Sequence, residues 1–149
     1  YGRYAREHRL CSMTDLQPRT HAKGEDRWVY PVMERVIAGI EAGDPACAEI
    51  GVDFISEDAS FPFGMVLKTK TARALRRAAL TQRQQDRIRA RVFDMLLREY
   101  LPREYREYAK LLRRIGLGNC TGVLGKANGA NPHVARYLKY FREAASNAL

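Results

Sequence analysis

"PVMERVIAGIEAGDPACAEIGVDFI", residues 31–55, reads as two helices and the turn between them. Val32, Met33, Val36, Ile37 and Ile40 recur at helical spacing, and Gly43 stands where a helix places its left-handed C′ residue. Asp44 then caps a second helix, and Pro45 takes its first position, where a missing N–H removes no hydrogen bond. This second helix is expected to run to about Glu57. Its apolar face carries Cys47, Ala48, Ile50, Gly51, Phe54 and Ile55, and the opposite face a Glu49/Asp53/Glu57 stripe read as exposed. Glycine inside a helix costs roughly 1 kcal/mol relative to alanine. Gly51 is therefore expected where a neighbouring helix approaches closely.

Outward from this hairpin the punctuation repeats. Val29 or Pro31 opens the first helix, and residues 1–27 form a polar arm with a short helix around Tyr4–Met13. "SFPFG" (Ser60–Gly64) is a turn with two aromatic anchors, Phe61 and Phe63, followed by a third helix over Val66–Ala79. Thr81 with Gln84 three residues on is an uncharged capping box for a fourth helix reaching about Tyr100. Pro102 breaks that helix and starts a fifth, which Gly116 ends. Residues 116–130, "GLGNCTGVLGKANGA", hold five glycines and read as a flexible loop. Asn131-Pro132 opens a sixth helix with Val134, Leu138 and Phe141 inward. The expected fold is all-α: about six helices in consecutive antiparallel pairs, a bundle or a short HEAT-like stack, with residues 28–149 as one domain.

The first pair, Val29–Ile55, resembles a HEAT repeat, the two-helix unit of α-solenoids, in its early proline, its Asp-Pro turn and its two apolar faces. The resemblance implies stacked helices and a habit of binding proteins or nucleic acids, but no named activity. No fixed period follows it, since Asp44-Pro45, Leu101-Pro102 and Asn131-Pro132 are unevenly spaced.

At 149 residues, 46% hydrophobic and 29% charged, the chain has the composition of a soluble globular domain. No apolar run approaches the ~20 residues that cross a bilayer, so no membrane role is expected. Cys11, Cys47 and Cys120 lack disulfide or metal spacing, and a cytoplasmic location with reduced thiols is expected. Neither a metal nor a cofactor is expected. "TGVLGKA" fails as a phosphate loop, with Cys120 in place of the first glycine and Ala127 in place of the hydroxyl.

The charge is unevenly placed. The net charge is +9, yet residues 36–67 contain no Lys or Arg, and Met65–Gly116 holds fifteen Lys/Arg against five Asp/Glu. Three helices carry stripes: Arg73, Arg76 and Arg77; Arg83, Arg87 and Arg91; and Arg103, Arg106, Lys110 and Arg113. Merged side by side, they would form a basic surface for an acidic protein or a nucleic-acid backbone. Reversing Arg87 and Arg106 to Glu is then expected to remove anion binding without unfolding. Two alternatives keep the stripes structural. They are solvated faces balanced by Asp86, Asp94, Glu104 and Glu107, or they receive the acidic stripe of the second helix. The leading reading is a non-catalytic binding module. The alternative is a small helical enzyme or ligand-binding domain with a pocket near residues 116–130, where Cys120 and His133 could meet. In "REYLPREYREY" (98–108), Tyr105 and Tyr108 fall on the apolar face and are expected in the core with their hydroxyls at its rim.

Overall fold

The helices end where local chemistry stops them. A computed structural model describes residues 25–57 and 64–147, and among these it has six α-helices, one 3-10 helix and no strand. Residues 1–24 of the expected arm and the Phe61 and Phe63 anchors lie outside the described residues. Helix α1 (Glu25–Glu41) opens ahead of both Val29 and Pro31 and takes the last residues of that arm. Gly43 closes it with φ +88°, a conformation that favours glycine. The Asp44 carboxylate accepts from the Ala46 N–H at 2.9 Å, and Pro45 opens α2 (Pro45–Ser56) as expected.

Helix α3 (Gly64–Leu75) stops short of the expected Ala79, because the N–H groups of Arg77 and Ala78 reach back only three residues. Arg76 and Arg77 therefore leave the helix and enter the turn. The Thr81–Gln84 capping box is complete and starts α4 (Gln82–Leu97). At its other end Glu99 N–H donates to Leu96 O and Tyr100 N–H to Met95 O, a Schellman pattern. Glu99 occupies the left-handed position with φ 57°, the one such non-glycine among the described residues.

Helix α5 (Tyr105–Ile115) ends at Gly116, φ +89°. The glycine-rich segment then departs from expectation. It forms a 3-10 helix, η1 (Gly118–Lys126), because Leu117 and Leu124 are apolar enough to bury against the core. Asn131 accepts from His133 N–H at 2.9 Å and caps α6 (Pro132–Asn147).

Packing follows two rows. Helices α1, α3 and α5 adjoin in sequence along one, α2 and α4 along the other, with α1–α2, α2–α3 and α4–α5 contacts joining them. α6 packs on α5, and η1 on α4. Contacts run in the same order along α5 and α6: Tyr105 meets Tyr137, and Arg113 meets Tyr140. The segment 117–131 is thus a crossover that brings α6 back beside the start of α5, unlike the tight α1–α2 turn. Gly51 lies where α1, α2 and α3 converge, with Ile40, Thr71 and Leu75 around it.

Tyr105 and Tyr108 are core residues, at most 1% exposed. Their hydroxyls do not reach the rim, because α4 covers the face on which they lie. Tyr105 donates to Val92 O at 2.9 Å, and the Tyr108 hydroxyl is buried without a hydrogen-bond partner. Burial pushes both phenols well above their ordinary range.

Candidate polyanion-binding site

Nine of the ten cations singled out in the sequence divide into three groups, and Arg83 stands apart. Arg87 and Arg91 turn toward α2. Arg87 Nη1 donates to Glu49 Oε1 at 3.1 Å, and its Nη2 to Asp53. Glu49 is buried, and its Oε2 accepts from Gln84 Nε2 at 2.7 Å. Two members of the stripe read as exposed therefore form an interhelical junction, which corrects that reading. Arg91 is buried as well and donates from Nε to Ile55 O at 3.2 Å. The last carbonyls of a helix lack partners within it. Helix α2 has no basic residue in its last turn. Arg91 and Lys68 supply the missing donors from α4 and α3, Lys68 Nζ reaching Glu57 O at 3.0 Å. Reversing Arg87 would set a third carboxylate beside Glu49 and Asp53, so that substitution disturbs the fold as well as any surface.

The second group surrounds a groove. Arg76 and Arg77 from the turn after α3, Lys110, Arg113 and Arg114 from α5, and Tyr140 from α6 line an open depression of about 840 Å³. Arg113 lies over the Tyr140 ring at 4.7 Å, a cation–π contact that orients it. The α3–α5 contact explains the convergence, since it sets one basic stripe next to another. Arg114 was not singled out in the sequence, although its position directly after Arg113 at a helix end was a usable signal.

One carboxylate organises these cations from below. Glu107 and Glu104, which one alternative reading of the stripes put on a solvated face, are both buried. Glu107 Oε1 lies 3.3 Å from Arg73 Nη2 and 3.6 Å from Lys110 Nζ, and Oε2 lies 3.8 Å from Arg76 Nη1. Burial alone would raise its pKa. The hydrogen bond from Arg73 and the charges of Lys110, Arg73 and Arg76 outweigh that and hold it below its ordinary 4.5. A group held low in the folded state contributes stability above its unfolded pKa and loses it as pH falls through the folded value. Thermal melts of the protein and of Glu107→Gln should therefore differ at neutral pH and converge as pH drops below about 4.5. A difference that stays constant with pH would contradict this.

The third group lies at the other end of α5. Arg103 and Arg106 line a smaller hollow of about 540 Å³ with Asn131, His133, Arg136 and Tyr137. Cys120, half-buried in η1, is not among its lining residues. Arg83 is exposed in the first turn of α4, away from both depressions. Arg136 and Tyr140, four residues apart on α6, were also missed, though that spacing puts them on one helix face.

No helix among the described residues is long and apolar enough to cross a membrane. Comparison with protein families, with curated proteins and with solved structures finds no match.

Proposed function

We propose that the protein is a non-catalytic helical module of the cytoplasm that holds a polyanion, foremost a nucleic-acid backbone, in the groove between α3, α5 and α6. One observation carries the reading: five cationic side chains surround a single open groove whose lining contains no carboxylate. Glu107 beneath it opposes part of that charge and holds Arg76 and Lys110 in place. Arginine forks suit phosphate oxygens, and cations on phosphates release counterions, so affinity falls steeply with salt. Arg113 against Tyr140 forms one wall of the groove.

The test is the anisotropy of a labelled random single-stranded oligonucleotide, titrated at several salt concentrations. Four or five phosphate contacts predict a slope of log K against log salt near about −3. Arg77→Gln/Arg114→Gln should lower that slope by about 1 for each contact removed. Both side chains are exposed, so their replacement leaves the core intact. Binding that ignores salt, or a slope unmoved by the double substitution, would sink the reading. Tighter binding of a poly-glutamate of equal charge would move the assignment to an acidic protein.

A further inference from the structure

We infer that the hollow at the start of α5 and α6 is a second site, separate from the groove, and that it takes a small phosphomonoester bearing hydroxyl groups. Arg103 comes from the turn before α5, Arg106 from its first turn, and Arg136 from α6, with His133 beside them. Most arginines on α3, on α4 and just after them are committed: Arg73 and Arg76 to Glu107, Arg87 to Glu49 and Asp53, Arg89 to Asp86, and Arg98 to Asp94. Among the described residues, the side chains of Arg103, Arg106 and Arg136 have neither ion pair nor hydrogen bond. Three uncommitted guanidinium groups around one concavity make a cradle for a dianion, because each presents a planar fork that fits two phosphate oxygens.

The rest of the hollow is fixed in place. Tyr137 stands edge-on against the buried Tyr105, with ring centroids 4.8 Å apart. Burial pushes its pKa up more than Arg136 and Arg106 pull it down, so Tyr137 keeps its proton and can donate. Leu101 and Pro102 give an apolar wall. At the rim Glu99 Oε1 accepts from Asn128 Nδ2 at 3.2 Å and Asn131 Nδ2 at 2.9 Å. These bonds hold a residue whose left-handed backbone (φ 57°) disfavours a side chain. They also tie the start of α6 to the end of α4. The N–H groups of His133 and Val134 are already taken by Asn131 Oδ1, so the cations, and not the helix end, form the anion site.

Size and polarity choose the ligand class. About 540 Å³ falls within the range of small-molecule sites and exceeds what a bare phosphate needs. A carboxylate beside three arginines repels a second anion but accepts from a hydroxyl. The combination fits a sugar phosphate better than inorganic phosphate or a free sugar.

Isothermal titration calorimetry at low ionic strength tests the assignment with three probes: ribose 5-phosphate, ribose and inorganic phosphate. Ribose 5-phosphate should bind saturably and more tightly than inorganic phosphate, and ribose should not bind. Arg106→Gln/Arg136→Gln should weaken ribose 5-phosphate by about tenfold or more, since charged hydrogen bonds are lost. Arg77→Gln/Arg114→Gln, in the groove, should leave it unchanged. The proposal is overturned if ribose 5-phosphate does not saturate, if inorganic phosphate binds equally well, or if the groove variant loses as much. That last variant also keeps the two sites apart, because it weakens oligonucleotide binding without touching the hollow. Should the hollow variant melt early, Arg103→Gln, an exposed residue before α5, replaces it with the same expected loss.

Discussion

Arg89→Met should lower the melting temperature by about 10 °C, because it removes a buried cation whose guanidinium serves two helices. Nε donates to Gly116 O at 2.8 Å and Nη2 to Ile115 O at 3.1 Å, while Nη1 bonds Asp86 Oδ1 at 2.9 Å. The two carbonyls belong to the C-terminal end of α5, where a positive charge also meets the negative end of the helix dipole. Gly118 lies directly under the same group. A Cβ there would sit 3.1 Å from Arg89 Nε, and φ is +57° besides. Methionine fills the volume but leaves the carbonyls of 115 and 116 without donors. Hydrogen bonds to charged groups contribute about 1.5–3 kcal/mol each, and the two half-buried acceptors recover only part of that from water. The total expected is about 3 kcal/mol, which at this chain length corresponds to about 10 °C. Arg89→Lys should recover only part of it, because one ammonium cannot span both carbonyls and Asp86. Melts followed by circular dichroism decide; a shift of only a degree or two would mean that α5 ends stably without the cap.

Gly51→Leu comes next, expected to cost about 1–3 kcal/mol through overpacking. A Cβ on Gly51 would lie 2.8 Å from Ile40 Cδ1 and 3.3 Å from Thr71 Cγ2, with Leu75 Cδ2 at 3.6 Å. Three helices meet at that point, so the extra atoms of leucine have nowhere to go. Gly51→Ala separates this account from a simple helix-propensity effect. Alanine gains about 1 kcal/mol of helix propensity. Its Cβ meets the far end of Ile40, a side chain that can turn, and needs Thr71 Cγ2 to give by a few tenths of an ångström, so its net effect should be near zero. A leucine variant that melts like the wild type would show that the α1–α3 junction is looser than its distances imply.

These two sites differ in how visible they were. Gly51 could be read from the sequence, because a glycine in the middle of an apolar helical face has few explanations besides close approach. Arg89 could not. It has the same composition and spacing as the arginines around it, and nothing local marks it as the cap of another helix. The same holds for Arg91 and Lys68 on α2. The sequence placed Arg87 and Arg91 on an outward surface, yet both are spent on α2. It did admit docking of the acidic stripe onto the arginines as an alternative, and Glu49 and Asp53 on Arg87 are that contact.

Three helix starts were legible because their causes act within a few residues. Asp44 on Ala46, Thr81 with Gln84, and Asn131 on His133 are bonds across two or three positions. The apolar faces were legible for the same reason, since 3.6-residue spacing sets which side is buried. Residues 116–130 were misread as a flexible loop because their five glycines outweighed Leu117, Val123 and Leu124 in a local reading, while burial of those side chains depends on α4 lying nearby.

By itself, then, the sequence determined an all-helical chain, its breaks, its inward faces and its surplus of positive charge. Only the tertiary structure decided where that charge goes. A long cation finds carbonyls and carboxylates that are 26 to 38 residues distant along the chain, as Arg89 and Arg87 do. Which arginines are left for a groove or a hollow is settled by which helices lie side by side, and no spacing within a helix encodes that.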